Sequence, residues 1–157
     1  MRKRILAVAG VAALVMGTSA VIAGARGGVE YGGQIEKDPN TFIGFDVEGS
    51  GKHKTVEGLF TNGVSVACDN DAFSGRQGNL SIEKALKVKK NGSFKGKETR
   101  VLPVRAIGVP TKYKVSVKGK VKGKKAKGTV SVGLLGNDAH CYSGSLKWKA
   151  KKPAPAG

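Results

Sequence analysis

Lys112-Tyr113-Lys114-Val115-Ser116-Val117-Lys118-Gly119-Lys120-Val121-Lys122, then Gly123-Lys124-Lys125, then Ala126-Lys127-Gly128-Thr129-Val130-Ser131-Val132-Gly133-Leu134, is the stretch that decides the fold. Apolar or small residues recur at every second position: Tyr113, Val115, Val117, Gly119 and Val121, then Ala126, Gly128, Val130, Val132 and Leu134. Lysine or serine fills the alternate positions of the first run. A period of two marks a strand with one buried and one wetted face. Between the runs, Lys122-Gly123-Lys124-Lys125 predicts a tight turn joining two antiparallel strands.

The same alternation appears elsewhere. Ile43, Phe45 and Val47 share a face, as do Val64, Val66 and Cys68. Leu80, Ile82, Leu86 and Val88 share one parity, with Lys84 the exception. A short helix over residues 80–90 is the alternative there, because Ile82, Ala85 and Leu86 also fit helical spacing. Near the end, Tyr142, Leu146, Trp148 and Ala150 fall on one parity and Cys141 on the other. A bulge near Gly144 is needed if both sets face inward. Turn signals at Asp38-Pro39-Asn40, Gly49-Ser50-Gly51, Thr61-Asn62-Gly63, Asn91-Gly92 and Gly136-Asn137-Asp138 separate the runs. The expectation is an all-β chain: a single antiparallel β-sandwich or barrel-like domain, with no second domain and no repeat.

A different pattern precedes that domain. Met1-Arg2-Lys3-Arg4 is basic, and no charge follows across residues 5–25. The run ends in small residues, Thr18-Ser19-Ala20 and Ala23-Gly24-Ala25. This is the build of a secretory signal peptide, cut after Ala20 or Ala25. The alternative is a retained N-terminal membrane anchor, since about 20 apolar residues suffice to span a bilayer. The reading divides the chain into a signal peptide (1–25), a β domain (26–150) and a disordered tail (151–157). It places the protein outside the cytoplasm, secreted or associated with the cell envelope, with no membrane attachment after cleavage.

Export bears on the two cysteines, Cys68 and Cys141. In an oxidising compartment an isolated pair in a small domain is most simply a disulfide. By the chain-entropy model a loop of this length stabilises by about 4 kcal/mol. A reactive Cys141 activated by the adjacent His140 is the alternative.

Charge is uneven along the chain. Residues 26–83 carry five Lys/Arg and nine Asp/Glu; residues 84–127 carry sixteen Lys/Arg and the single acid Glu98. One reading has the two halves face each other and partly neutralise. The other has a cationic surface turned toward a polyanion. The lysines of the hairpin's polar face, Lys112, Lys114, Lys118, Lys120, Lys122, Lys125 and Lys127, are the candidate binding residues. Along a strand they repeat about every 7 Å. The simpler reading of such lysines is that they are solvated and guard an exposed sheet edge, with polyanion binding as the alternative. The segment uses lysine far more than arginine and has few aromatics, which argues against specific nucleic-acid recognition. The expected partner is an anionic cell-envelope polymer or another polyanion, held in a salt-sensitive way.

Other constellations are weaker. Asp69, Asn70 and Asp71 offer oxygens for calcium but lack the spacing of a calcium loop, and read as a polar turn. His53 and His140 are too far apart in sequence to suggest a metal site on their own. Asp46, Glu48 and Glu57 lie on neighbouring predicted strands, where a glycosidase pair is conceivable and an acidic outer face the simpler reading. No nucleophile elbow is present. No catalytic residue, metal or cofactor is assigned.

The run Cys141-Tyr142-Ser143-Gly144-Ser145-Leu146-Lys147-Trp148-Lys149-Ala150, a Cys-x-Ser-Gly-x3-Trp-x-Ala pattern, resembles that of a group of small exported bacterial β-sandwich proteins of uncharacterised function. Tyr31-Gly32-Gly33-Gln34, the lone Cys68, Asn91-Gly92-Ser93-Phe94 and the glycine-rich hairpin match as well. The resemblance implies a sandwich with Cys68 bonded to Cys141, and no activity. The chain is therefore expected to be a secreted, non-enzymatic domain acting by binding or as an envelope component. Electrostatic capture of an anionic polymer or lipid through the lysine face is one alternative, and an extracellular hydrolase is another. The oligomeric state is not legible.

Overall fold

The computed structural model describes residues 28–69, 75–77, 79–102, 111–136 and 140–154. The proposed signal peptide, Asn70 and Asp71 lie outside them. Among the described residues twelve strands follow one another: β1 (Val29–Ile35), β2 (Phe42–Glu48), β3 (Thr55–Asn62), β4 (Val64–Cys68), β5 (Gly75–Gln77), β6 (Leu80–Ile82), β7 (Leu86–Lys87), β8 (Ser93–Leu102), β9 (Thr111–Lys122), β10 (Lys125–Leu135), β11 (His140–Tyr142) and β12 (Leu146–Lys151). Residues 80–90 form two short strands and not a helix. Lys151, expected in the tail, belongs to β12, and the Lys152 N–H donates to the Lys124 carbonyl at 3.0 Å.

The strands join into one curled antiparallel sheet, so the barrel-like form of the expected fold is the one adopted. Its main path runs β8-β9-β10-β12-β1-β2-β3, and β6 and β7 share the far edge of β3. β10 has a divided neighbour. One edge pairs with β9 throughout; the other pairs first with β12 and then with β11, which leads to β4 and β5. The two ends of the main path curl toward each other, bringing β6 and β7 against β8. At this seam the Leu86 side chain fills the space over Gly96, where a Cβ would come within 2.4 Å of it. Glu98 accepts from the Glu83 N–H at 2.8 Å and from the Arg100 guanidinium, which also binds the Glu83 carboxylate. That hydrogen bond holds the Glu83 carboxyl below its usual range and raises Arg100 further.

The hairpin forms as its sequence predicts. Lys122 faces Lys125, leaving Gly123 and Lys124 as a two-residue turn with Gly123 at φ +59°. Two register slips then set which side chains point inward. Between the Gly44–Phe60 and Asp46–Glu57 pairs, β3 carries one extra residue at Gly58 (φ +57°). This bulge lets both Val56 and Leu59, of opposite parity, be buried. The second slip lies between the Leu134–Cys141 and Val130–Leu146 pairs, where Gly144 sits at φ +68°. The Ser143 hydroxyl closes it, accepting from the Val132 N–H at 2.8 Å. The bulge expected near Gly144 is therefore present, and Cys141 and Trp148 both face the core; Tyr142, expected inward with Trp148, lies before the bulge and faces outward.

Trp148 occupies the middle of that core, 1 % exposed. Across the inner face a single row runs Phe94, Gly119, Gly128, Trp148, Ile35. The two central glycines leave the volume into which the Phe94 and Trp148 rings extend. A Cβ on Gly119 would lie 2.5 Å from Phe94 and 2.6 Å from Trp148. Phe45 meets both rings from the opposite wall, with centroids 5.7 and 5.8 Å away, and stacks on Tyr31 at 5.3 Å. The Tyr31 hydroxyl donates to the Gly123 carbonyl at 2.6 Å, tying β1 to the hairpin turn.

Candidate functional site

Inward-facing valines on β9 and β10 force the intervening lysines outward, because successive side chains on a strand alternate faces. Lys118, Lys120 and Lys122 on β9 and Lys125 and Lys127 on β10 are all exposed. The fold adds cations from a third strand. β12 lies beside β10, so Lys149 neighbours Lys127 and Lys151 neighbours Lys125. Lys147 stands across from Thr129, and Lys95 on β8 stands across from Lys118. The outer surface thus carries two unbroken lysine rows, Lys122–Lys125–Lys151 and Lys120–Lys127–Lys149. Lys112 and Lys114 share the face but sit toward its other end, beyond the Ser116–Ser131 pair. No Asp or Glu occurs anywhere in β9, β10 or β12.

Sequence reading missed Lys147, Lys149 and Lys151. Their alternation with Leu146, Trp148 and Ala150 is plain, but nothing local says that β12 docks beside the hairpin.

Edge protection does not account for these lysines. β9 lies between β8 and β10, β10 between β9 and β12, and β12 between β10 and β1. Interior strands have no free edge to guard. Like charges directly opposite on neighbouring strands are destabilising, by up to about 1 kcal/mol per pair. The rows set like charges side by side on the folded sheet.

The acidic half presents its own outer row. Glu30, Asp46 and Glu57 are successive cross-strand partners on β1, β2 and β3, and Glu48 pairs with Thr55. The three carboxylates considered for glycoside hydrolysis therefore stand side by side along one surface of the sheet. The Thr55 hydroxyl donates to Glu57 at 3.2 Å.

Cys68 and Cys141 are bonded, and they face each other directly in the short β4–β11 ladder. The ladder continues through the Asp69 N–H to the His140 carbonyl at 3.1 Å and the His140 N–H to the Asp69 carboxylate at 2.9 Å. Asp69 is thereby used in holding β4 to β11. His53 is exposed in a single 3-10 turn (Gly51–His53). Among the described residues, no three His, Cys, Asp or Glu side chains gather as a metal site would require. No helix among them is long and apolar enough to cross a membrane.

The C-terminal motif now has a physical reading, residue by residue. Cys141 makes the disulfide, Ser143 and Gly144 make the bulge, Trp148 fills the core, and Ala150 is buried between Gly33 and Ala126. No family model, no curated protein and no solved structure matches this chain.

Proposed function

We propose that the protein is an exported, non-enzymatic domain that binds an anionic polymer of the cell envelope through the outer face of β9, β10 and β12. The supporting observation is the pair of lysine rows built on three interior strands that contain no acid. A polymer laid on this face meets ammonium groups about 5 Å apart across strands and about 7 Å apart along them. Lysine is a compact, strongly hydrated cation with no planar fork, so binding depends on charge density more than on the geometry of any one anionic group. The disulfide and the basic, uncharged-then-small leader both suit an oxidising compartment.

Elution from a heparin column tests the reading against net charge alone. Two triple variants are compared, Lys120→Gln/Lys127→Gln/Lys149→Gln on the face and Lys52→Gln/Lys84→Gln/Lys89→Gln elsewhere. Both lower the charge by three. The face variant is expected to elute at distinctly lower salt. Equal elution of the two would remove the lysine face as a binding site.

A further inference from the structure

The outer surface holds a second feature that repeats with the lysines. Phe42 is 42 % exposed and Tyr142 is 55 % exposed, yet neither ring stands free of the sheet. Phe42 lies across Gly32 and Gly44, which are direct cross-strand partners, and a Cβ on these would come within 3.1 and 3.2 Å of its ring. Phe60 covers Gly44 from the other side, with its ring centroid 5.7 Å from that of Phe42. Tyr142 lies across Gly133, where a Cβ would sit 3.3 Å from its ring. Each glycine seat adjoins the lysine face. The other neighbour of Gly32 is Lys151, and the other neighbour of Gly133 is Lys114.

We infer that these rings are stacking platforms at the two ends of the lysine face and that the polymer is an anionic polysaccharide. The inference rests on the polyanion reading above and names its ligand class. The platforms are far apart. From Lys125, in the row of Gly32, to Gly133 is eight residues along β10, about 26 Å. A ligand touching both is a chain with ring faces at intervals and anionic groups between. Sugar-acid polymers carry both, with apolar C–H faces for the rings and carboxylates for the ammonium groups. The rings are carried on strands, each with one edge against a glycine, and do not project from loops, which disfavours insertion into a bilayer. Single-stranded nucleic acid is better served by successive platforms for successive bases. It also favours guanidinium groups, and Arg100 is committed to Glu83 and Glu98 at the seam.

The test titrates the purified protein with polygalacturonate and with inorganic polyphosphate, which has the charge but no ring faces. Phe42→Leu and Tyr142→Leu keep the glycines covered but remove the flat face. Each is expected to weaken polygalacturonate binding about five- to tenfold and to leave polyphosphate binding unchanged. Lys149→Gln/Lys151→Gln is expected to weaken both. Phe42→Tyr, which keeps the ring, should bind as the parent does, separating stacking from any structural effect. If the leucine variants bind both polymers normally while the lysine variant loses both, the platform inference falls and the lysine face stands. If neither polymer binds the parent at low salt, both fall. A larger effect of the leucine variants on an oligothymidylate or on phosphatidylglycerol vesicles than on polygalacturonate overturns the polysaccharide assignment.

Discussion

Two glycine pairs in this sheet do the same thing on opposite faces. Gly119 and Gly128 are cross-strand partners on the inner surface, and Phe94 and Trp148 extend over them. Gly32 and Gly44 are partners on the outer surface, and Phe42 and Phe60 extend over those. In both, a missing Cβ makes room for an aromatic ring. What differs is the far side of the ring. Inside, Phe45 and the opposite wall enclose it, so the ring contributes burial. Outside, Phe42 is left 42 % exposed to solvent, with Lys151 on the strand next to Gly32, so much of the ring's area is left for something else to cover. One local device therefore serves stability on one face and is available for recognition on the other.

The sharpest way to break this comparison is to refill the glycines. A Cβ on Gly128 would sit 1.9 Å from the Lys118 carbonyl and 2.6 Å from Trp148, neither of which has room to retreat. Gly128→Ala is expected to cost on the order of 3 kcal/mol in urea denaturation. Gly32→Ala meets only the far end of Phe42 at 3.1 Å, and that ring can swing into solvent. Its cost is expected to stay below about 1 kcal/mol. Similar costs at the two sites would mean that the outer ring is as confined as the inner one.

Changing the rings themselves gives a smaller contrast. Phe94→Leu, at a side chain 3 % exposed, is expected to lose about 1–2 kcal/mol through imperfect refilling of the space over Gly119. Phe42→Leu should lose less than about 0.5 kcal/mol, because a ring 42 % exposed gives up little burial. Thermal unfolding of the two variants side by side measures the difference. If Phe42→Leu proves the costlier, the outer platform is part of the core.

The smallest effect belongs to the seam, where Arg100 of the basic half points away from the lysine face and meets Glu83 of the acidic half. The pairing lowers the pKa of Glu83 in the folded state. Its contribution is present above the ordinary carboxylate value and is lost as pH falls through the lowered one. Both groups are at the surface, so screening keeps the contribution small. The parent should show a slight drop in Tm between about pH 5 and 3 that Glu83→Gln lacks. A large drop removed by Glu83→Gln would show charge, and not the shape of the Leu86–Gly96 contact, holding the seam together.

Much of this was readable from alternation. The β9–β10 hairpin, the buried faces of β2 and β4, the disulfide and the bulge at Gly144 all follow from local pattern plus one compartment argument. What alternation cannot supply is the order of strands. It says that Lys147, Lys149 and Lys151 point away from Trp148, and not which strand lies beside them. Only the long-range pairing of β12 with β10 adds Lys147, Lys149 and Lys151 to the seven lysines of the hairpin and makes one face of ten. Phe42 and Tyr142 were hidden for a similar reason. Phe42 lies on the polar parity of β2, whereas Tyr142 shares the parity of Trp148 in sequence and is turned outward by the bulge at Gly144; Gly32 and Gly133, against which they pack, belong to neighbouring strands. In β3 the single residue Gly58 shifts the parity, so Val56 and Leu59 cannot be placed on one face by counting.

The pairing of β1 with β12 carries a consequence for the order in which the molecule is made. The first strand finds its second partner only when the last one arrives, and Trp148, which covers Gly119 and Gly128, arrives with it. A chain emerging from the ribosome reaches the hairpin well before the residue that completes its inner surface. Until then the hairpin has no finished core to lock into, and such long-range pairings are slow to form. A protein built this way stays open through most of its synthesis. Under the export proposed above, in which the chain is threaded through a membrane before folding, that delay would be an advantage inherent in the strand order.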